Sequence, residues 1–258
     1  KLRLVYKKDG AREAQGFFNQ AYTLDPRNYD ALAEWLKLKV TGYEKNFAVK
    51  FVNNLIASEP ANPMNYWVLG EVYAESKEFR RAVTLYHKAL DLDNRQSKVR
   101  MSLAKALEAV GELDKAVAEF RLSSLLDRRN SEGFYRAADL LFQMKSYAQS
   151  EEVLKFLMGV TPNYPGVHRY LSKIHQLREQ KDAAIEQMRQ EVANNPANYK
   201  FVLELAELYI DYEKYDEAIS ALKDITTLPS TSQAPEYKTE KIRAYLLLSR
   251  CYRAKKQP

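Results

Sequence analysis

The sequence predicts an all-α protein, a right-handed α-solenoid of stacked helical hairpins, and three observations carry that expectation. One residue pattern recurs every 34 positions along the chain. Each period holds two amphipathic stripes at three- and four-residue spacing, the signature of paired helices. Turn-formers are scarce, with 8 Gly and 9 Pro in 258 residues against 18 Tyr, so the chain cannot punctuate many short strands.

The repeat is anchored by a small residue. Ala14, Ala48, Ala82, Ala116, Ser150, Ala184 and Ala218 stand 34 apart, and four positions after each comes a large apolar side chain: Phe18, Val52, Tyr86, Phe120, Leu154, Met188 and Leu222. Twelve positions before the small residue lies a second, mostly small series, which includes Gly70, Ala104, Ala138, Ser172 and Ala206. Two helices approach closely only where one offers no bulk, and a large side chain from the other then fills the hollow. Pro26, Pro60, Pro162 and Pro196 follow second helices, where proline ends a helix at little cost in hydrogen bonds.

In order along the chain, this register gives a partial repeat over 1–28, then repeats over 29–62, 63–96, 97–130, 131–164, 165–198 and 199–232, and a closing helix over 235–258. The period slips once. Leu248, Ser249 and Tyr252 repeat the pattern of Leu205, Ala206 and Tyr209 after 43 residues, so an extended Pro/Ser/Thr-rich loop is expected over Thr226–Ala234. Lys1 falls midway through a first helix, and the chain reads as part of a larger protein. Three positions break the pattern. Leu36 fills a normally small site and should splay its repeat, Arg100 stands where an aromatic or leucine is usual, and Glu191 replaces a small residue.

The run Tyr66-Trp67-Val68-Leu69-Gly70-Glu71-Val72-Tyr73, followed by Ala82, Tyr86 and Ala89, resembles the tetratricopeptide repeat. The resemblance extends over essentially the whole chain and implies a solenoid whose first helices line a concave groove. It also implies that ligands contact repeat positions 2, 5, 9, 12 and 13. Helical geometry puts these on one stripe, about 100° round from the core stripe. Position 5 reads Ala33, Trp67, Met101, Tyr135, Arg169, Leu203 and Leu246. Trp67, Met101 and Tyr135, extended by Phe142, are therefore expected to form an apolar hot spot for a partner peptide or helix. The bland alternative is packing between neighbouring first helices. Position 9 alternates in sign through Lys37, Glu71, Lys105, Asp139, Lys173, Glu207 and Arg250, which predicts a ladder of ion pairs along the groove floor. No position 9 is Asn, the residue that the family's binders of acidic chaperone tails use there, so a co-chaperone role is disfavoured.

Other function classes find little support. The three histidines do not form a metal pair: His168 and His175 fall at core positions seven residues apart, and His87 stands alone. No phosphate-cradling loop or nucleophile elbow occurs. Glu151 and Glu152 are expected on a solvated face. The single cysteine, Cys251, excludes an internal disulfide and reads as a structural thiol. No catalytic residue, cofactor or metal is expected, and the chain is not expected to be an enzyme. A net charge of +6 is mild for this length, and acidic residues (34) nearly match basic ones (40). RNA binding is the weakest reading, since position 5 lacks the repeated polar side chains that a base code needs. No transmembrane segment or signal peptide is read, and the cytoplasm is the default compartment, with periplasmic or membrane-tethered placement as alternatives. The expected role is a protein–protein interaction scaffold in complex assembly or signalling. The alternative is a substrate-selecting or regulatory domain of an enzyme whose catalytic domain lies elsewhere.

Overall fold

The computed structural model describes residues 16–18, 20–41, 43–127, 129–227 and 236–255, without the side chains of 236 and 237. The start of the partial first repeat and most of the Thr226–Ala234 loop lie outside the described residues. Thirteen helices are assigned in full: α1 (Tyr29–Thr41), α2 (Lys45–Ser58), α3 (Pro63–Glu75), α4 (Phe79–Leu92), α5 (Ser97–Ala109), α6 (Leu113–Leu126), α7 (Glu132–Gln143), α8 (Tyr147–Val160), α9 (Val167–Leu177), α10 (Lys181–Asn194), α11 (Tyr199–Asp211), α12 (Tyr215–Thr226) and α13 (Glu236–Lys255). No strand occurs among the described residues, so the expected all-α class holds.

The chain divides into two compact units, Lys1–Leu141 and Phe142–Pro258, with the division inside α7. In the first, α3 packs against α1, α2 and α4, and α5 against α4 and α6. Two of its helix starts are written locally. Asn62 caps α3 by accepting a hydrogen bond from the Met64 N–H at 3.1 Å, and Pro63 opens the helix where no N–H is needed. Asn28 accepts likewise from the Ala31 N–H at 3.0 Å before α1. Inside, the small-to-large rule is met literally. A Cβ added to Gly70 would lie 2.4 Å from a ring carbon of Tyr86, which is itself fully buried. At Gly133 an added Cβ would meet the Phe120 carbonyl oxygen at 2.2 Å. Leu36, expected to splay its repeat, is completely enclosed, beside a Trp35 ring that meets Phe47 and Phe51 edge-on.

The second unit packs α9 on α8 and α10, α11 on α10 and α12, and α13 on both α11 and α12. Its core joins Ile185, Met188, Leu203, Tyr209, Leu222 and Ile225 to Ala244, Leu247 and Cys251 of α13.

One feature of the hairpins was not legible as a motif. The residue that turns each first helix into its second adopts a left-handed backbone at Tyr43, Lys77, Gly111, Lys145, Glu179 and Glu213, a series with the 34-residue spacing. Only one of the six is glycine. The turn is held because the next N–H reaches back to close the last helical turn, as in Glu78 N–H to Tyr73 O at 2.9 Å and Lys214 N–H to Tyr209 O at 2.8 Å. Each non-glycine residue there costs roughly 1 kcal/mol, which the packed hairpin offsets.

Candidate partner-binding groove

The first helices α1, α3 and α5 bring their stripes together around a cavity of about 450 Å³ in the first unit. Trp67 and Met101 form its floor, and Asp30, Lys37, Lys98 and Lys105 stand on its rim. The floor is sunk more deeply than the sequence suggests: Trp67 is 4% exposed and Met101 8%. The Trp67 indole N–H donates to Ser102 Oγ at 3.0 Å, which satisfies its one polar atom. Above the ring lies the Lys98 ammonium, 5.4 Å from the centroid, and the same ammonium reaches across to Asp30 at 2.5 Å. The rim charges therefore lie between solvent and the apolar floor.

From Lys37 on the rim a polar network runs inward. Lys37 pairs with Glu71 at 2.6 Å, and the Tyr86 hydroxyl donates to Glu71 at 2.7 Å. Burial by itself would raise the Glu71 carboxyl, but the Lys37 charge and hydrogen bonds from Lys37, Ser102 and Tyr86 outweigh it and hold the group below the usual carboxylate range. Burial likewise opposes the Lys37 charge, yet Glu71 leaves the ammonium above its ordinary value. Burial and then the Glu71 charge push the Tyr86 phenol far above its usual range, so it stays a donor.

The Lys37–Glu71 step of the expected ladder is formed, and several members also meet charges outside it. Lys105 approaches Glu132 at 3.9 Å in an exposed pair worth little, and Asp139 approaches Arg136 at 3.6 Å. In the second unit Glu207 pairs with Arg243 at 2.7 Å and Arg250 approaches Asp211 at 3.7 Å.

The remaining expected site residues fall in both units. Tyr135 is half-buried on α7. Phe142 belongs to the second unit, where its ring meets Tyr147 and Tyr170 edge-on at 5.2 and 5.3 Å. Lys173 lies over the Tyr170 ring at 5.8 Å, and Arg169 pairs with Glu204 at 2.5 Å. Asp30 and Lys98 were not singled out from the sequence although both occupy position 2 of their repeats, and that register was the available signal. Ser102, at position 6, carried none.

Two pattern-breaking residues turn out to be built in. The Glu191 carboxylate, 1% exposed, accepts the Gly166 N–H at 2.7 Å and the Arg169 N–H at 3.2 Å, capping α9 from a neighbouring helix. Arg100 pairs with Glu119 at 2.7 Å and donates to the Asn94 carbonyl behind α4. Glu151 is less solvated than expected, held between Lys155 and Arg178 at 2.7 Å each. His168 is buried against Gln187 at 2.8 Å, and burial pushes the Cys251 thiol up. No group of three potential metal ligands occurs among the described residues, and no helix among them is long and apolar enough to cross a membrane.

No family model matches the chain. Human E3 SUMO-protein ligase RanBP2 is 31% identical over 98 residues, 38% of this chain and 3% of that protein. Mouse tetratricopeptide repeat protein 21B is 25% identical over 107 residues, 42% of this chain and 8% of that protein. The chain thus spans a small fraction of the length of these relatives. Among solved structures, PilF of Pseudomonas aeruginosa superposes with a TM-score of 0.57 at 19% identity, over 90% of this chain and all of that one (100%). MamA gives 0.55 at 15% identity over 63% of this chain and 95% of that one. YrrB, described as a TPR protein with an unusual peptide-binding site, gives 0.53 at 15% identity over 76% and 96%. Hairpins in a 34-residue register, small residues receiving large ones between their helices, and this likeness in backbone lead to one conclusion: the chain folds as a tetratricopeptide-repeat protein.

Proposed function

We propose that the chain is a protein–protein interaction scaffold that takes a partner peptide or helix in the groove of its first unit, along α1, α3 and α5. The observation that carries this is the cavity of about 450 Å³ with Trp67 and Met101 beneath a rim of both charge signs. Such a rim suits a segment of mixed character better than a strongly acidic tail, because Lys37 and Lys98 are already engaged by Glu71 and Asp30. The partner's charges exchange with Asp30 and Lys98, and its apolar side chain gains the indole face that Lys98 now covers. The fold likeness to YrrB, described as a TPR protein with an unusual peptide-binding site, supports the same reading.

The test uses a random peptide library displayed on phage and panned against the chain, with the recovered peptides measured by calorimetry. Lys98→Glu with Lys105→Glu changes exposed rim charges and leaves the buried floor intact. Recovered peptides should bind in the micromolar range and weaken about tenfold or more on this variant. Peptides that bind both chains equally, or a library that yields none above background, would remove the proposal.

A further inference from the structure

Asp30 of α1 and Lys98 of α5 hold the same register position, 68 residues apart, and on α3 between them that position is Met64. With no charge at that position on the middle helix, the Lys98 side chain crosses over Trp67 and pairs with Asp30. The pair is loosely held, since its Lys98 and Asp30 side chains are 46 and 62% exposed. Exposed ion pairs and exposed cation–π contacts are both weak, so a ligand can displace them. Lys37 and Glu71 are different: their side chains are 24 and 12% exposed, and they join α1 to α3 and, through Tyr86, to α4.

Whatever displaces the Asp30–Lys98 pair has to answer both of its ends. A wholly apolar segment lying on Trp67 would leave the carboxylate and the ammonium unpaired beside a surface it dries. An acidic segment would satisfy Lys98 and be repelled by Asp30, and a basic one the reverse. Spacing adds to charge. Neighbouring first helices lie about 8–10 Å apart. A chain that crosses α1, α3 and α5 in turn rises about 3.3 Å per residue when extended, so it takes about three residues from each helix to the next.

Resting on the groove reading, we infer that the partner is an extended segment of bipolar character, with a basic and an acidic residue each about three positions from a central apolar anchor, which replaces the Asp30–Lys98 pair with two ion pairs of its own. The basic residue meets Asp30, the acidic one meets Lys98, and the anchor takes the indole face that the Lys98 ammonium leaves. Either chain direction satisfies the pattern, because the order of the two charges reverses with it. Asp30 and Lys98 thereby set the specificity of the groove, admitting mixed segments and turning away those of a single sign.

Three phage libraries test this, each displaying segments of about nine residues with Leu at the centre, fixed charges at the third position to either side and random residues elsewhere. One fixes Arg and Glu in both orders, one Glu and Glu, and one Arg and Arg. Panned on the parent chain, the mixed library should enrich about tenfold or more over the other two. Asp30→Lys makes both ends basic and should move the preference to the Glu/Glu library by a similar factor. Lys98→Glu makes both ends acidic and should move it to the Arg/Arg library. A gained preference is a readout that misfolding does not produce. A parent chain that favours a single sign, or a preference that the two substitutions fail to move, would overturn the inference. So would equal enrichment of the three libraries, or none where the unrestricted library of the groove test yields binders; the groove reading would survive each of these. Failure of every library, the unrestricted one included, would remove both.

Discussion

Glu71 shows how one side chain serves both stability and the proposed site. Its carboxylate joins α1 to α3 through Lys37 and receives the Tyr86 hydroxyl from α4, so it ties three helices beneath the groove. Because its folded pKa is depressed, its stabilisation is present above the ordinary Glu value of about 4.3 and is lost as pH falls through the lower folded value. Lys37 and Tyr86 are raised, so their stabilisation is complete below about pH 10 and is lost as pH climbs beyond it. Glu71→Gln should therefore cost about 1–3 kcal/mol at pH 7, and the gap from the parent chain should close as pH drops below about 4. Urea unfolding at a series of pH values measures both.

At the scale of the element, helix ends decide more than helix interiors. The start of α3 was legible because Asn62 and Pro63 sit side by side. The start of α9 was not, because its cap comes from Glu191, 25 residues after Gly166 and on another helix. Sequence reasoning could flag Glu191 only as a misfit, since nothing local says which N–H groups a distant carboxylate will meet. Replacing Glu191 by Ala leaves the Gly166 and Arg169 N–H groups and the Asn195 side-chain amide without their acceptor, an expected loss of about 2–4 kcal/mol in urea unfolding, with Gln intermediate. The six hairpin turns teach the same lesson from the other side. Gly111 announces its left-handed turn, whereas Tyr43, Lys77, Lys145, Glu179 and Glu213 are forced into theirs by helices that must double back to pack.

At the scale of the whole molecule, contacts join helices near in sequence, so stability is distributed by neighbourhood. Leu222, fully buried, touches the region where α11, α12 and α13 meet. Leu222→Ala should cost about 2–5 kcal/mol locally and accelerate amide exchange in those three helices, while amides of α3 and α4 in the first unit keep their protection. Hydrogen exchange followed by mass spectrometry reads this directly; uniform acceleration along the chain would show that the two units unfold as one.

The amino-acid sequence alone determined the helix periodicity, the 34-residue register and the small-into-large packing of each hairpin, because each of these is encoded within one or two helices. Position 5 of the repeat also pointed to Trp67 and Met101. Tertiary structure alone decided that Trp67 lies under a Lys98–Asp30 pair and that Phe142 packs with Tyr147 and Tyr170. The reason is physical. A helix face follows from residue spacing, but its exposure and its ionic partners depend on how near another helix comes, and that distance is set by side chains many residues away.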